Sequence, residues 1–277
     1  MIERRLFIAS SAAFLALPAF AAPSRLALSG TMQDGGMVLG KTEPTAKLTL
    51  DGNALYIGSS GDFVFGLGYD QSKSAVLLAT FADGTSEARS IVPAARQYEI
   101  QRITGLPEKM VTLPPDVLER RKKEIAQIAE ARKRVTDATW YAEPFDWPIA
   151  GIVSDPYGGQ RILNGEPRAP HLAIDIAAPA GTQIRAPAPG VVSLAGPDFY
   201  LEGGLTILDH GQGVSTCYLH QSKQLVKVGD KVARGDVIGL VGMTGRATGP
   251  HLHWGLNWFQ VALDPSLSTR TPSPAKS

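Results

Sequence analysis

Short runs of alternating hydrophobic and polar residues fill the first third of the chain. Turn-forming groups such as Asp51-Gly52-Asn53 and Asp83-Gly84 separate these runs. Alternation bounded by Gly, Asn and Asp is typical of half-buried antiparallel strands joined by tight turns. The pattern predicts a small immunoglobulin-like β-sandwich over residues 26–103. Its predicted strands include 46–50, 54–57, 63–67, 75–81 and 87–92.

A helical pattern follows the proline pair Pro114-Pro115. It predicts a helix at about residues 116–137 inside a linker of residues 104–142. Between residues 116 and 134, seven basic residues stand against four acidic ones, so the helix is basic. A narrow apolar stripe predicts that it packs along one domain with its charges in solvent. The stripe consists of Val117, Leu118, Ile125, Ile128 and Val135.

The β pattern returns after Trp147-Pro148 and continues nearly to the end of the chain, with glycine-rich turns between the runs. We therefore expect a mainly β protein whose second, antiparallel domain covers residues 143–267. The tail at residues 268–277 is polar and contains proline, which predicts disorder.

The first residues resemble an export signal. Arg4 and Arg5 precede an apolar run from Leu6 to Phe20 and a small-residue stretch. This pattern predicts a signal peptide over residues 1–21, cleaved after Ala21 or Ala22. A permanent anchor is the alternative, but the run is shorter than the roughly 20 residues of a spanning helix. Both general secretion and the twin-arginine route stay open.

The composition excludes some classes of function but does not indicate a particular one. The chain has 277 residues, 44% of them hydrophobic and 19% charged, with a net charge of +1. A net charge so close to zero lacks the excess of basic residues that a dedicated nucleic-acid binder carries. Cys217 is the only cysteine, so neither an intrachain disulfide nor a lipid-accepting cysteine at the cleavage point is available.

Two spacings among the five histidines indicate a metal site. They are His171-x-x-x-Asp175 and His251-Leu-His253. Residues two apart on a strand share a face, so His251 and His253 project together, as do His171 and Asp175. A straight strand would hold the last two about 13 Å apart, so the chain must bend near His171 to bring them to one ion. Two histidines and one carboxylate are a recurrent catalytic zinc set.

Several motifs in the second half of the chain resemble the lysostaphin-type, or LytM-type, zinc metallopeptidases of bacterial cell walls. The resemblance covers roughly residues 147–265. The order of the motifs, their turns and the histidine positions all agree with that family. The motifs are His171-Leu-Ala-Ile-Asp175, residues 208–213, Tyr218-Leu219-His220, residues 229–235 and residues 244–253.

The resemblance implies a duplicated-hybrid-motif type of β domain with one Zn²⁺ per chain. His171, Asp175 and His253 match the family's metal ligands, and His220 and His251 match its two unligated catalytic histidines. Ala173 replaces a usual glycine, and Gln221 follows His220 where an apolar residue is common. Both departures affect the shape of the cleft and leave the ligand set intact.

Two further residues have plainer interpretations. His210 lies in an Asp-His-Gly turn, where a structural hydrogen bond is the expected role. Cys217 alternates away from Tyr218 and His220, so we expect a buried apolar residue and not a nucleophile.

The family further implies an exported endopeptidase that hydrolyses peptide cross-links of bacterial peptidoglycan, with stem peptides as partner and no membrane span after signal cleavage. The scissile bond is either a D-amino-acid cross-link or a glycine bridge, and we favour the former, in the periplasm. The alternative is an inactive relative that regulates a cell-wall amidase. A biotinyl or lipoyl carrier is disfavoured because no lysine lies in residues 242–246. The basic helix leaves a contact with the wall polymer open.

Overall fold

The computed structural model describes residues 24–71, 73–104 and 115–271. The predicted signal peptide and residues 272–277 of the predicted tail lie outside these ranges. In the described ranges the protein is mainly β with one α-helix, as the sequence predicts.

Two antiparallel sheets form the N-terminal region. The first contains the strand order β1-β2-β5 and the second β4-β3-β6-β7. The strands are β1 (Ala27–Gly30), β2 (Met37–Lys41), β3 (Lys47–Leu50), β4 (Asn53–Ala54), β5 (Asp62–Gly66), β6 (Ala75–Thr80) and β7 (Ser86–Ile91).

One apolar core joins the two N-terminal sheets. Along β6, residues alternate strictly between buried and exposed, so Leu77 points into the core while Val76 faces solvent. Phe63 and Phe65 of the first sheet meet Leu48 and Leu77 of the second in the same buried cluster. The period-2 pattern thus places the apolar face of each sheet against the other.

The strand that follows pairs with the C-terminal half. Strand β8 (Ile100–Ile103) runs parallel to β10 (Gln160–Leu163), which in turn pairs with β11 (Glu166–Pro167). The end of the predicted first domain is therefore joined by backbone hydrogen bonds to a hairpin of the second.

The helix α1 (Pro115–Ala131) ends six residues before the predicted end at 137. Arg132 and Lys133 still donate their N–H groups to the carbonyls of Ile128 (3.2 Å) and Glu130 (3.1 Å), and tertiary contacts hold the chain after them. Gln212 donates its backbone N–H to the carbonyl of Thr136 (3.1 Å), and the Asp137 carboxylate accepts the backbone N–H of Ser59 (2.8 Å). These contacts hold residues 134–137 in a non-helical connection, and propensity alone does not reveal them.

An eight-stranded antiparallel sheet dominates the C-terminal half. Its order is β18-β14-β15-β16-β20-β12-β9, and β21 pairs with β20. A second sheet has the order β13-β19-β17. The strands are β9 (Ile152–Asp155), β12 (Ile174–Ala177), β13 (Gln183–Arg185), β14 (Gly190–Phe199), β15 (Gly203–Gly211), β16 (Val214–Gln221), β17 (Lys223–Gln224), β18 (Lys231–Val232), β19 (Val237–Leu240), β20 (His251–Trp258) and β21 (Val261–Leu263).

The structured chain extends past residue 267, where the sequence predicts disorder. A 3₁₀ helix, Pro265–Ser268, is capped by the Asp264 side chain. Phe145 then donates its N–H to the carbonyl of Ser268 (2.8 Å) and accepts the N–H of Arg270 (2.8 Å). These backbone pairs order the first part of the predicted tail.

The N-terminal region and the large sheet share buried contacts. Met37 and Val64 pack in the same apolar cluster as Trp254 and Leu263 of the C-terminal half. Arg96 reaches the buried carboxylate of Asp264 at 2.8 Å. Within the described ranges, no helix combines the length and apolar character that a membrane span requires.

Candidate metal centre

Strands β12 and β20 bring the first two predicted ligands together. Asp175 and His253 are directly paired in the antiparallel register. Their neighbours Ile176 and Trp254 are fully buried in the core behind the sheet, so the two polar side chains share the opposite face. His253 Nδ1 lies 2.8 Å from Asp175 Oδ1.

His171 joins them from a bend before β12, as the spacing requires. Its backbone is fixed on both sides: the His171 N–H donates to the carbonyl of Gly159 (2.9 Å), and Gly158 donates its N–H to the carbonyl of His171 (2.6 Å). The imidazole Nε2 then lies 3.2 Å from Asp175 Oδ1 and 3.1 Å from His253 Nδ1. The hydrogen bonds with Gly158 and Gly159 thus hold the bend that brings His171 to Asp175, which a straight strand would keep apart.

These three donor atoms fit a zinc ion. They form a triangle with edges of 2.8, 3.1 and 3.2 Å. A tetrahedral ion with bonds of about 2.0–2.2 Å separates its ligand atoms by about 3.3–3.5 Å, so a small opening of the triangle accommodates it. Two imidazole nitrogens and one carboxylate oxygen leave the fourth position open, which is typical of catalytic zinc sites.

The protonation of the cluster suits cation binding. Burial opposes ionisation of Asp175, but hydrogen bonds from His171 and His253 outweigh it and hold the pKa of that carboxyl well below its ordinary value. Burial lowers the pKa of His253, with Asp175 opposing the shift. The carboxylate is therefore ionised and the imidazole tends to be neutral, which are the forms that coordinate metals.

A second carboxylate supports His171 and was not predicted from the sequence. Asp155 Oδ2 on β9 lies 3.1 Å from His171 Nδ1, and both side chains are almost fully buried. A carboxylate on the far ring nitrogen of a metal-binding histidine orients the ring and fixes its tautomer. Asp155 is the last residue of β9, and only the pairing of β9 with β12 brings it opposite Asp175.

The two predicted unligated histidines lie beside this cluster. The His220 ring is 4.7 Å from the His251 ring and 6.0 Å from the His253 ring, measured between centroids. His251 Nε2 lies 3.9 Å from Asp175 Oδ2. All five residues predicted for ligand binding and catalysis are thus brought to one place.

Backbone carbonyls fix the tautomers of these two histidines. His220 Nδ1 lies 2.8 Å from the carbonyl of Thr244, and His251 Nδ1 lies 2.8 Å from that of Gly249. A carbonyl oxygen only accepts, so each Nδ1 donates a proton and, in the neutral ring, leaves Nε2 as a base. Burial lowers the pKa of His220 to about 4, so its ring is neutral near pH 7.

The backbone at His220 adopts a conformation that side chains disfavour. Its φ is +62°, and its N–H donates to the carbonyl of Glu202 (2.8 Å). Left-handed backbone at a non-glycine residue costs free energy and is concentrated at functional sites. Together with the Thr244 carbonyl, this contact sets the direction of the imidazole.

His210 and Cys217 have other surroundings. His210 is fully buried; its Nδ1 donates to the carbonyl of Pro189 (2.7 Å), and its Nε2 lies 2.7 Å from Thr216 Oγ1. Burial lowers the pKa of His210 to about 4. Cys217 is buried, and burial raises the pKa of its thiol, which disfavours the thiolate that a nucleophile needs.

The metal-centre region matches known peptidases. The model for Peptidase family M23 matches residues 169–265. Peptidoglycan DD-endopeptidase ShyA of Vibrio cholerae is 49% identical over 88 residues, which are 32% of this chain and 20% of that protein. DD-carboxypeptidase/endopeptidase Mpg of Neisseria meningitidis is 41% identical over 104 residues, 38% of this chain and 24% of that protein. The chain thus spans a quarter or less of these relatives.

Structural similarity extends over more of the chain. A crystal structure assigned to peptidase M23 from Pseudomonas aeruginosa has a TM-score of 0.67 and 29% identity, covering 86% of this chain and 94% of the other. The predicted family, metallopeptidase class and zinc cofactor are confirmed by these matches and by the His171, Asp175 and His253 cluster. Residues 169–265 therefore belong to peptidase family M23, the lysostaphin or LytM type of metallopeptidase.

Proposed function

We propose that this protein is an exported zinc metalloendopeptidase that hydrolyses peptide cross-links of bacterial peptidoglycan. The observation that carries the proposal is the triangle of His171, Asp175 and His253 donor atoms with two unligated histidines beside it. Relatives named peptidoglycan DD-endopeptidase support the wall substrate and favour the D-amino-acid bond over a glycine bridge. Peptidoglycan lies outside the cytoplasm, so a wall substrate agrees with the predicted signal peptide and with action in the periplasm.

The proposed chemistry divides between the ion and the two free imidazoles. A bound zinc ion supplies Lewis acidity, which activates water and polarises the scissile carbonyl. His220 and His251 each offer an Nε2 whose ring is held from the other side by a backbone carbonyl. One imidazole accepts the proton of the attacking water at Nε2, and the imidazolium so formed can pass that proton to the leaving amine. The other can donate to the developing oxyanion only in its own protonated form. The near symmetry of the pair leaves the two roles interchangeable.

The N-terminal region is proposed to be an accessory module with an immunoglobulin-like sandwich over residues 26–103. Its two sheets with one shared core support this assignment, and it has no histidine. The competing function, an inactive regulator of an amidase, is disfavoured because all five expected site residues are present and adjacent.

The test combines metal analysis with digestion of purified peptidoglycan. We expect about one zinc per chain and release of cross-linked muropeptides as monomers, lost on chelation and restored by zinc. Intact cross-links after incubation with zinc-loaded protein would contradict the proposed activity. Zinc binding without cleavage would favour the regulator.

A further inference from the structure

A cavity of about 310 Å³ lies between helix α1 and the large sheet, beside the metal centre. The metal-ligand residue His253 lines it. Ile128 of the helix and Leu205 and Leu219 of strands β15 and β16 supply apolar walls. A peptide whose scissile bond lies at the metal centre would therefore find an adjoining space of side-chain size.

The cavity also contains a cation without an anionic partner. Arg132 lines it, and its Nε is buried with no hydrogen-bond partner among the described residues. The guanidinium lies 3.9 Å from Cys217 Sγ, a weak acceptor, and forms no ion pair within the described part of the chain. Buried polar groups are normally satisfied, so this nitrogen indicates a missing partner.

The acidic residue in the cavity is already engaged elsewhere. Glu202 accepts two hydrogen bonds from the Arg121 guanidinium, at 2.6 and 3.0 Å. This bidentate pair satisfies the carboxylate and leaves the charge of Arg132 uncompensated.

Arg132 follows the last residue of helix α1, is hydrogen-bonded to it through the carbonyl of Ile128 (3.2 Å), and is positioned by the anchoring of that helix. Arg121 anchors one turn of α1 to Glu202, and Glu124 accepts the backbone N–H of Tyr200 (2.9 Å). Nearer to Arg132, Gln260 donates its amide to the carbonyl of Ala129 (3.0 Å). Anchoring before binding reduces the ordering cost that a ligand must overcome.

We propose that this cavity is a substrate subsite in which Arg132 binds a carboxylate of the peptide whose scissile bond lies at the metal centre. The inference rests on the proposed peptidase function and adds a preference for acidic peptides. The planar guanidinium matches a carboxylate in bidentate geometry, and the Ile128 and Leu219 walls suit the aliphatic part of the same substrate residue.

The test compares one cross-linked peptide dimer as its free acid with the same dimer after amidation of its carboxyl groups. Wild-type protein should cut the acid with the lower KM. Arg132→Gln should raise KM for the acid by about 10- to 100-fold, the range expected for losing a hydrogen bond to a charged group. We expect kcat to change by less than about 3-fold, and KM for the amide to stay the same.

The matched control is Lys133→Gln. It removes the same charge one residue along the chain, from an exposed side chain paired with Glu130. Neither KM should change in this variant. Zinc content and far-ultraviolet circular dichroism of Arg132→Gln should equal those of wild type.

Three outcomes would overturn the subsite. They are equal KM effects of Arg132→Gln on acid and amide, a fall in kcat without a change in KM, or an equal effect of Lys133→Gln. If wild-type protein cuts neither dimer, the proposed peptidase function fails by itself. Calorimetric titration with the two dimers then decides the subsite: tighter binding of the acid that Arg132→Gln abolishes supports it, and equal binding refutes it.

Discussion

A residue outside the proposed ligand triangle supports the candidate metal centre. Asp155 holds His171 Nδ1 at 3.1 Å, so the imidazole presents Nε2 to Asp175 and His253 without rotating. Loss of such an outer carboxylate commonly costs about 10- to 100-fold in metal affinity. We expect Asp155→Ala to weaken zinc binding by that factor, measured by competition with a chromophoric chelator.

Two further variants test whether the loss of zinc affinity comes from the Asp155 carboxylate. Asp155→Asn should recover part of the affinity because its amide oxygen still accepts from Nδ1. Ile152→Ala changes an exposed side chain of the same strand and should leave the affinity unchanged. Wild-type zinc affinity in Asp155→Ala would show that the ring is oriented by its backbone alone.

Buried His210 should make folding sensitive to acid. Burial lowers its pKa to about 4 from an ordinary value of 6.5. Between these values the unfolded chain binds a proton that the folded chain does not, so stability is complete above pH 6.5 and falls as pH drops toward 4. The shift corresponds to about 3 kcal/mol.

The measurement is urea unfolding from pH 7 to pH 4 in the presence of a chelator. His210→Gln keeps a donor for the Pro189 carbonyl and an acceptor for Thr216 but does not titrate. Its stability should fall less over this range, by about 3 kcal/mol relative to wild type. If the free energy of unfolding falls equally with pH in wild type and in His210→Gln, the acid sensitivity does not come from His210.

Helix α1 is docked mainly by buried charged residues, and of its predicted apolar stripe Ile128 packs against the apolar cluster of the sheet. Leu118 and Ile125 of the stripe are 46% and 55% exposed, whereas Arg121 and Glu124 are each 7% exposed. Hydrophobic periodicity assigns charged residues to solvent, so it cannot find a buried ion pair whose partner, Glu202, is distant in sequence. The helix and the inward position of Ile128 were predictable, but the buried ion pair was not.

Removal of Arg121 tests this docking. Arg121→Met leaves Glu202 partly buried without its bidentate partner, which typically costs about 3–5 kcal/mol. We expect a loss of that order in the free energy of unfolding, measured with urea. Lys122→Met removes the adjacent, exposed charge that pairs with Glu119, and an exposed pair contributes at most about 1 kcal/mol. Equal losses in the two variants would show that the Arg121–Glu202 pair does not anchor the helix.

The faces of the strands were predicted more closely than the contacts of the helix, because successive side chains of a strand alternate between its two faces. Alternation placed Asp175 and His253 on one face and Ile176 and Trp254 on the other, and the pairing of β12 with β20 has that arrangement. Asp155 escaped prediction because its role comes from the pairing of β9 with β12, which alternation within one strand does not encode.

The two halves of the molecule are less separate than the sequence indicates. Composition and histidine positions separate residues 26–103 from the rest, but Met37 and Val64 pack into the C-terminal core, and β8 pairs with β10. A linear pattern records where strands start and end, while pairing between distant strands depends on the complete chain. The sheet that carries the candidate metal centre is thus supported by contacts with the N-terminal region.

We infer that His171, Asp175 and His253 hold zinc while His220 and His251 move protons. The most direct test compares zinc content and peptide turnover in His253→Ala and His251→Ala, which alter one strand two residues apart. We predict that His253→Ala loses both zinc and turnover, whereas His251→Ala keeps about one zinc per chain and loses about 100- to 10,000-fold in turnover. Full zinc content in His253→Ala, or loss of zinc in His251→Ala, would contradict this account.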